Sequence, residues 1–313
     1  MGLSRAFRAV AYAIRRTRGR MFGALIARVP LRAIEPLAIV MWCVRSLYDA
    51  KTRSSGLERR EVGREVLKLG ELRNWSVLPG RTLEHLLDQR LHFGRQRDRA
   101  EALPDLQRAA SVLARTINEM RADTPGRPVV VSPFHYVSQY ANISVVDELR
   151  KQLGLASIGV VSGVPRDIYG SDEALIPNIE ILHTYSETNR TGLGLRAARS
   201  LRRHGVVVLF ADAPPFALSG YPMETVGVSI FGRPARIHNG VFRMGAPLDA
   251  VMLPFYLRFE NGRFSAVVLD PIELAASNAP QRVAACIEHA LMDNYARSLI
   301  AGHPSMYAFS PSR

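Results

Sequence analysis

Short, continuous apolar runs alternate with helix-like segments from residue 128 onward, and this alternation constrains the fold more than any other feature. The runs VVV at 129–131, GVV at 159–161 and VVVLF at 206–210 are each separated from the next by a stretch with helical spacing. Continuous apolar runs of this length are typical of strands that helices cover on both faces. The sequence therefore predicts an α/β fold in which a mixed, largely parallel central sheet is flanked by helices.

The last third of the chain predicts further elements of the same fold. VGVSIFG at 226–232 has the pattern of a strand, and IHNGVFRMGAPL at 237–248 that of a short helix. Two long apolar segments then meet at Asn261-Gly262, a dipeptide that favours a tight hairpin. A final helix is expected between Pro280 and Pro304.

The N-terminal 124 residues are predicted to be helical. They form two of the three parts into which we divide the chain. Residues 57–122 show helical periodicity punctuated by Pro79-Gly80 and Pro104. We predict membrane-associating helices at 1–48, parted near Pro30, a helical region packed on the core at 49–124, and a catalytic α/β domain at 125–313.

Positive charge is concentrated at the N-terminus. The chain has a net charge of +13, and residues 1–60 contain thirteen Lys and Arg against three acidic residues. Arginines interrupt the apolar stretches before they reach the ~18–20 uncharged residues that a membrane span needs. Because large aliphatic residues lie between these cations, a basic amphipathic helix on an anionic lipid surface is favoured over a nucleic-acid interface. A helix packed on the protein's own body is the alternative.

The sequence lacks the motifs that several classes of site require. The two cysteines, Cys43 and Cys286, form no Cys-x-x-Cys pair, and no histidine pair has the spacing of a zinc site. TGLGLR at 191–196 lacks the third glycine of a dinucleotide-binding loop, and neither a Walker loop nor a Gly-x-Ser-x-Gly elbow occurs. We therefore expect no metal and no bound cofactor.

Two polar side chains follow apolar runs and are candidate catalytic groups. His135 lies just beyond the strand-like run at 129–131 and before a new helix, and Asp212 follows the run at 206–210. Active sites of open α/β sheets lie at the carboxyl ends of strands. If the two strands are close in one parallel sheet, Asp212 should lie close to His135, directly or through one water, and orient it as a general base.

Four segments together resemble the lipid A late acyltransferase family, the lauroyl and myristoyl transferases of the lysophospholipid acyltransferase group. The segments are LRRHGVVVLFADAPP at 201–215, FGRPA at 231–235, GAP at 245–247 between a predicted short helix and the next strand, and HPSMYAFSP at 303–311. In the family a histidine after the first strand precedes these segments, and His135 occupies that place in this chain. The resemblance covers roughly residues 125–311.

The resemblance implies a peripheral enzyme on the cytoplasmic face of a bacterial inner membrane. Its reaction would transfer a fatty acyl chain from acyl carrier protein or coenzyme A to a hydroxyl of a membrane glycolipid, with His135 as the base and no metal. The family places an acid five residues after this histidine, where this chain has Tyr140. Tyr140 is therefore a third candidate catalytic residue, with its neutral phenol as a weak substitute for that acid. Arg166 and Arg190 fall where the family tends to have basic residues, and they are candidates for binding the acceptor. The arginine of the FGRPA segment, Arg233, is a third candidate.

The departure at Tyr140 leaves two alternatives open. One is an inactive relative that keeps a lipid- or glycolipid-binding groove without catalysis. The other is an acyltransferase whose acceptor is a cell-surface glycolipid different from lipid A.

Overall fold

A largely parallel sheet lies at the centre of the protein. The computed structural model describes residues 17–97, 103–162, 178–183, 193–215 and 224–300. The strands are β1 (Val129–Pro133), β2 (Ile158–Ser162), β3 (Ile179–His183), β4 (Val206–Leu209), β5 (Thr225–Ile230), β6 (Arg233–His238), β7 (Val251–Glu260), β8 (Arg263–Val268) and β9 (Ile272–Glu273).

Seven of these strands form the main sheet, in the order β3-β2-β4-β1-β7-β8, with β9 also paired to β7. The five strands from β3 to β7 are parallel, whereas β8 and β9 run antiparallel to β7. Val130 of β1 is in register with Val207 of β4 on one side and with Met252 of β7 on the other. All three side chains are buried, as expected of a sheet covered on both faces.

Helices surround this sheet. They are α1 (17–26), α2 (Leu31–Tyr48), α3 (Ala50–Glu65), α4 (Glu71–Ser76), α5 (Gly80–Arg97), α6 (Pro104–Asp123), α7 (Gln139–Gln152), α8 (Leu193–His204), α9 (Gly240–Gly245) and α10 (Ala279–Asn294). The crossover through α7 runs from β1 to β2, and the one through α8 runs from β3 to β4 in the opposite sense. Right-handed crossovers therefore put α7 and α8 on opposite faces of the sheet.

The predicted α/β class is confirmed, and two strands are found that the pattern did not predict. β3 is the short segment IEILH at the sheet edge, and β6 is RPARIH, rich in residues that disfavour strands. β6 forms because it pairs antiparallel with β5 across a turn in which Phe231 and Gly232 both have positive φ. The resulting hairpin is a separate two-stranded sheet.

Helix α2 packs one face on the body of the protein and leaves the other face exposed. One face packs on the body of the protein, where Ile34 and Ala38 are buried and Glu35 pairs with Arg297. The opposite face exposes large apolar side chains, and Leu47 is 80% exposed. Within the described ranges, no helix is long and apolar enough to cross a membrane.

The start of α2 rests on the turn between β7 and β8. Asn261 and Gly262 both have positive φ, at 53° and 76°, as a two-residue hairpin turn requires. A Cβ at Gly262 would collide with the backbone of Arg32. The absence of a side chain at Gly262 therefore lets α2 approach the hairpin directly.

Candidate active site

The candidate site lies where β1 and β4 end side by side. The two strands are parallel neighbours, with Val131 in register with Val208. His135 follows the end of β1 by two residues, and Asp212 follows the end of β4 by three. Parallel register thus brings two residues 77 positions apart in the chain to the same edge of the sheet.

Asp212 binds His135 with both carboxylate oxygens. Oδ1 lies 2.8 Å from the imidazole Nδ1, and Oδ2 accepts the backbone N–H of His135 at 2.6 Å. Asp212 is 1% exposed, whereas the His135 side chain keeps 23% of its surface accessible. The predicted proximity is therefore confirmed as a direct contact.

This geometry selects one tautomer of His135. A carboxylate only accepts hydrogen bonds, so the proton of a neutral imidazole resides on Nδ1 and Nε2 is left as an acceptor. The Phe210 ring packs against the imidazole with centroids 4.6 Å apart and an interplanar angle of 40°. The ring is thus fixed by Asp212 and Phe210, with the acceptor nitrogen on its other edge.

The loop that carries His135 contains a strained residue. Val137 has φ 68°, a left-handed conformation that is an outlier for a β-branched side chain. The loop also bonds within itself, because Tyr136 N–H donates to the Phe134 carbonyl and Ser138 N–H to the Tyr136 carbonyl, both at 2.8 Å. Strain of this kind persists only where surrounding contacts enforce it.

A segment near residue 300 supplies those contacts. We call residues 296–299 the strap. Val137 N–H donates to the Arg297 carbonyl at 2.7 Å, and Leu299 N–H donates to the His135 carbonyl at 2.8 Å. Tyr136 and Ser298 between them form an isolated antiparallel bridge. The strap therefore holds the backbone on both sides of Tyr136.

Two carboxylates on α5 approach the other end of the His135 loop. Asp88 accepts the Ser138 hydroxyl at 2.5 Å, and Ser138 is the N-cap residue of α7. Burial raises the pKa of Asp88, and the hydrogen bond from Ser138 opposes that rise. Asp88 therefore joins α5 to the amino end of α7, immediately after the loop.

Glu84 lies one helical turn before Asp88 and has a perturbed titration. Burial, and next the charge of Asp88, raise its pKa to about 7. Arg59, Arg81 and His135 act in the opposite direction through their positive charge. Glu84 is thus an ionisable carboxyl within electrostatic range of His135.

Tyr140 occupies the second position of α7, and its ring is half-buried against α5. The ring lies 5.0 Å from that of His92, with an interplanar angle of 50°. Burial, and next the charge of Asp88, raise the pKa of its hydroxyl, so the phenol is neutral near pH 7. The carboxylate that contacts His135 comes from Asp212, at the end of a different strand. A catalytic role for Tyr140 remains a prediction.

Of the three arginines predicted to bind the acceptor, the structure describes one, Arg233. Arg166 and Arg190 lie outside the described residues. Arg233 is the first residue of β6, exposed at the tip of the hairpin. The other end of β6 is His238, whose imidazole lies near the Pro214 carbonyl but forms no hydrogen bond among the described residues. Five strand steps separate Arg233 from His238, about 17 Å.

Sequence patterns did not identify the groups that hold the His135 loop. Arg59 and Asp88 lie on predicted helices, where charged residues normally face solvent. The strap lies where the sequence predicted the end of the final helix, but that helix ends at Asn294. Within the part of the chain that the structure describes, no group of three or more metal-ligating side chains occurs. No family model matches the chain, and a comparison with curated proteins finds no match.

Proposed function

We propose that the protein is an acyltransferase in which His135 is the general base and Asp212 orients it. The observation that carries this proposal is the two-oxygen contact of Asp212 with the imidazole Nδ1 and the backbone N–H of His135. An orienting carboxylate and an accessible acceptor nitrogen are what a histidine base requires.

The reaction begins with an acceptor hydroxyl close to Nε2 of His135. The hydroxyl oxygen attacks the thioester carbonyl carbon while its proton passes to Nε2. When the tetrahedral intermediate collapses, the carbon–sulfur bond breaks, and the imidazolium returns the proton to the thiolate. The negative charge of Asp212 stabilises the imidazolium that exists between these two proton transfers.

The substrates follow from the resemblance to the lipid A late acyltransferases. We propose acyl carrier protein or coenzyme A as the carrier of the acyl thioester. The acceptor would be the hydroxyl of a membrane glycolipid, either lipid A-like or another cell-surface glycolipid. The order of the motifs along residues 125–311, together with the α/β fold around His135, supports this substrate class.

Peripheral attachment to the cytoplasmic face of the inner membrane is part of the proposal. Of the twelve large apolar side chains that are exposed among the described residues, ten lie between residues 21 and 75. They are Met21, Leu25, Ile39, Val40, Val44, Leu47, Tyr48, Leu57, Leu72 and Trp75. Residues 1–60, which overlap this part of the chain, contain thirteen Lys and Arg against three acidic residues. Apolar side chains combined with positive charge are suited to the surface of anionic lipids.

A transfer assay with purified protein tests the function. Acyl-coenzyme A and acyl carrier protein thioesters are each incubated with a glycolipid acceptor in mixed micelles, and the acylated product is measured by mass spectrometry. We expect turnover by the wild type and a loss of about 10²–10⁴-fold in His135→Ala. His204→Ala, which changes a histidine at the end of α8, is the matched control.

The same assay separates the enzyme from an inactive glycolipid-binding protein. Tyr140 in the place of the family acid motivates that second candidate. Saturable binding of glycolipid with no product from either thioester would favour the binding protein. Equal turnover in the wild type and His135→Ala would contradict His135 as the base.

A further inference from the structure

Arg59 is a fully buried cation whose partners lie in distant parts of the chain. It is 1% exposed, and burial lowers the pKa of its guanidinium. Its Nε donates to the Val77 carbonyl at 3.1 Å, and its Nη1 donates to the Ser298 carbonyl at 3.1 Å. Nη2 donates to the Ala296 carbonyl at 3.4 Å. One side chain of α3 therefore binds the segment before α5 and two residues of the strap.

The strap presents alternate backbone groups to Arg59 and to the His135 loop. The carbonyls of Ala296 and Ser298 accept from Arg59, while the Arg297 carbonyl and the Leu299 N–H bond the loop on the other side. Ala296 and Arg297 belong to a short 3₁₀ turn (Tyr295–Arg297), and the backbone at Ser298 after it is extended, so carbonyls along the strap point in different directions. Fixing one side of the strap therefore fixes the orientation of the groups that reach His135 and Val137.

The surroundings of Arg59 are shaped to hold it in this orientation. A Cβ at Gly80 would collide with the guanidinium, so a glycine at the start of α5 leaves room for it. The Tyr295 hydroxyl donates to the Arg59 carbonyl at 3.1 Å. Glu84, through its negative charge, favours the protonated guanidinium. Burying a cation costs desolvation free energy, which an apolar side chain of similar size would not. Core packing alone therefore does not account for an arginine at this position.

We infer that Arg59 is a positioning residue for His135, acting through the strap on the loop that contains the strained Val137. Its catalytic consequence rests on the acyl transfer proposed above. The guanidinium supplies three donors in a planar fork to three carbonyls, which a lysine ammonium on a single flexible stem cannot reproduce. Without these hydrogen bonds the strap is held less firmly, and the His135 loop that the strap positions no longer aligns the imidazole with Asp212.

Arg59→Lys is the test, since it keeps the positive charge that the buried site contains. Arg64→Lys, on the same helix but exposed and paired with Glu61, is the matched control. We expect kcat to fall by about 100-fold with KM unchanged, as is typical of small displacements of a catalytic group. Gly80→Ala, which crowds the guanidinium without removing it, should change kcat in the same direction.

A spectroscopic measurement separates positioning from a general loss of stability. The proton on His135 Nδ1, shared with Asp212, gives a downfield NMR signal that His135→Ala identifies by its absence. In Arg59→Lys this signal should broaden or shift, and the amides of Val137 and Leu299 should exchange faster with solvent. All measurements are made well below the thermal midpoint of each variant.

Three outcomes would decide against the inference. One is a folded Arg59→Lys protein whose kcat and Nδ1 proton signal match the wild type. Another is a fall in kcat that only follows the unfolded fraction, with an unchanged signal. If the wild type transfers no acyl group, the proposed function fails by itself. In that case an unchanged proton signal and unchanged amide exchange in Arg59→Lys would overturn the positioning role separately.

Discussion

Replacing Asp212 by asparagine is the most direct test of the His135 site. The two carboxylate oxygens accept two N–H groups of His135, at 2.8 Å from the ring and 2.6 Å from the backbone. An asparagine side chain offers one acceptor oxygen and one NH₂ donor in the same space. The backbone N–H cannot change its role, so the amide oxygen stays with it and the NH₂ group faces Nδ1.

The imidazole must then move its proton from Nδ1 to Nε2 to avoid two opposed donors. With a proton on Nε2, the ring can no longer accept the proton of the acceptor hydroxyl. In serine protease triads this change of tautomer lowers kcat by about 10⁴, and we expect a loss of about 10³–10⁴ here. The free energy of unfolding should change by only about 1–3 kcal/mol, because two hydrogen bonds are kept and only the carboxylate charge that strengthened them is lost.

The assay compares kcat at saturating thioester with the free energy of unfolding from urea titration. Asp249→Asn, at an exposed aspartate paired with Arg127, is the control. The double variant with His135→Ala should be no slower than His135→Ala alone, because the two residues act as one unit. A folded Asp212→Asn protein that stays within about tenfold of the wild-type rate would refute the role of Asp212, since general-base catalysis contributes about 10²–10⁴.

Three further expectations follow from the surroundings of the site and from the exposed helices. Tyr140→Phe should keep its acyl-transfer rate, because the ring makes the packing contact; a rate as low as that of the base variant would assign the hydroxyl a role. The double variant Val44→Asp/Leu47→Asp should co-sediment less with anionic vesicles. Leu195→Asp, at a similarly exposed leucine on α8, is the control and should bind as the wild type does. Equal binding by all three proteins would contradict a membrane-binding surface on α2. Because burial raises the pKa of Glu84 from 4.5 to about 7, the folded protein keeps a proton that the unfolded chain releases. The free energy of unfolding should therefore fall as pH rises from about 4.5 to about 7, and urea titrations of Glu84→Gln should lack this part of the slope.

Parts of the fold and of the site were predictable because their signals are local. The valine runs of β1 and β4 are buried on both faces, and such runs are distinctive in a sequence. Two strands of this kind in one parallel sheet end at the same edge, which is why the contact between His135 and Asp212 could be expected.

Other parts depend on partners distant in the chain. The residues of β6 disfavour a strand, and the pairing with β5 overrides that preference. The strap was predicted as part of the final helix, because its actual structure depends on Arg59 and the His135 loop, which lie 160 to 239 positions away in the chain. For the same reason, Asp88 could not be distinguished from the solvated acids of other helices until α7 was placed beside α5.

The contact between Gly262 and the start of α2 narrows the range of substitutions that this turn accepts. A two-residue turn with positive φ at both positions ordinarily tolerates asparagine or aspartate as well as glycine. At Gly262 any β-carbon meets the Arg32 backbone, so a substitution compatible with the turn is still incompatible with the helix. Substitution at this single position is therefore restricted by a helix 230 residues earlier in the chain. When a library of hairpin variants is selected for folding, glycine should be retained at 262, whereas Asn261 should tolerate substitution.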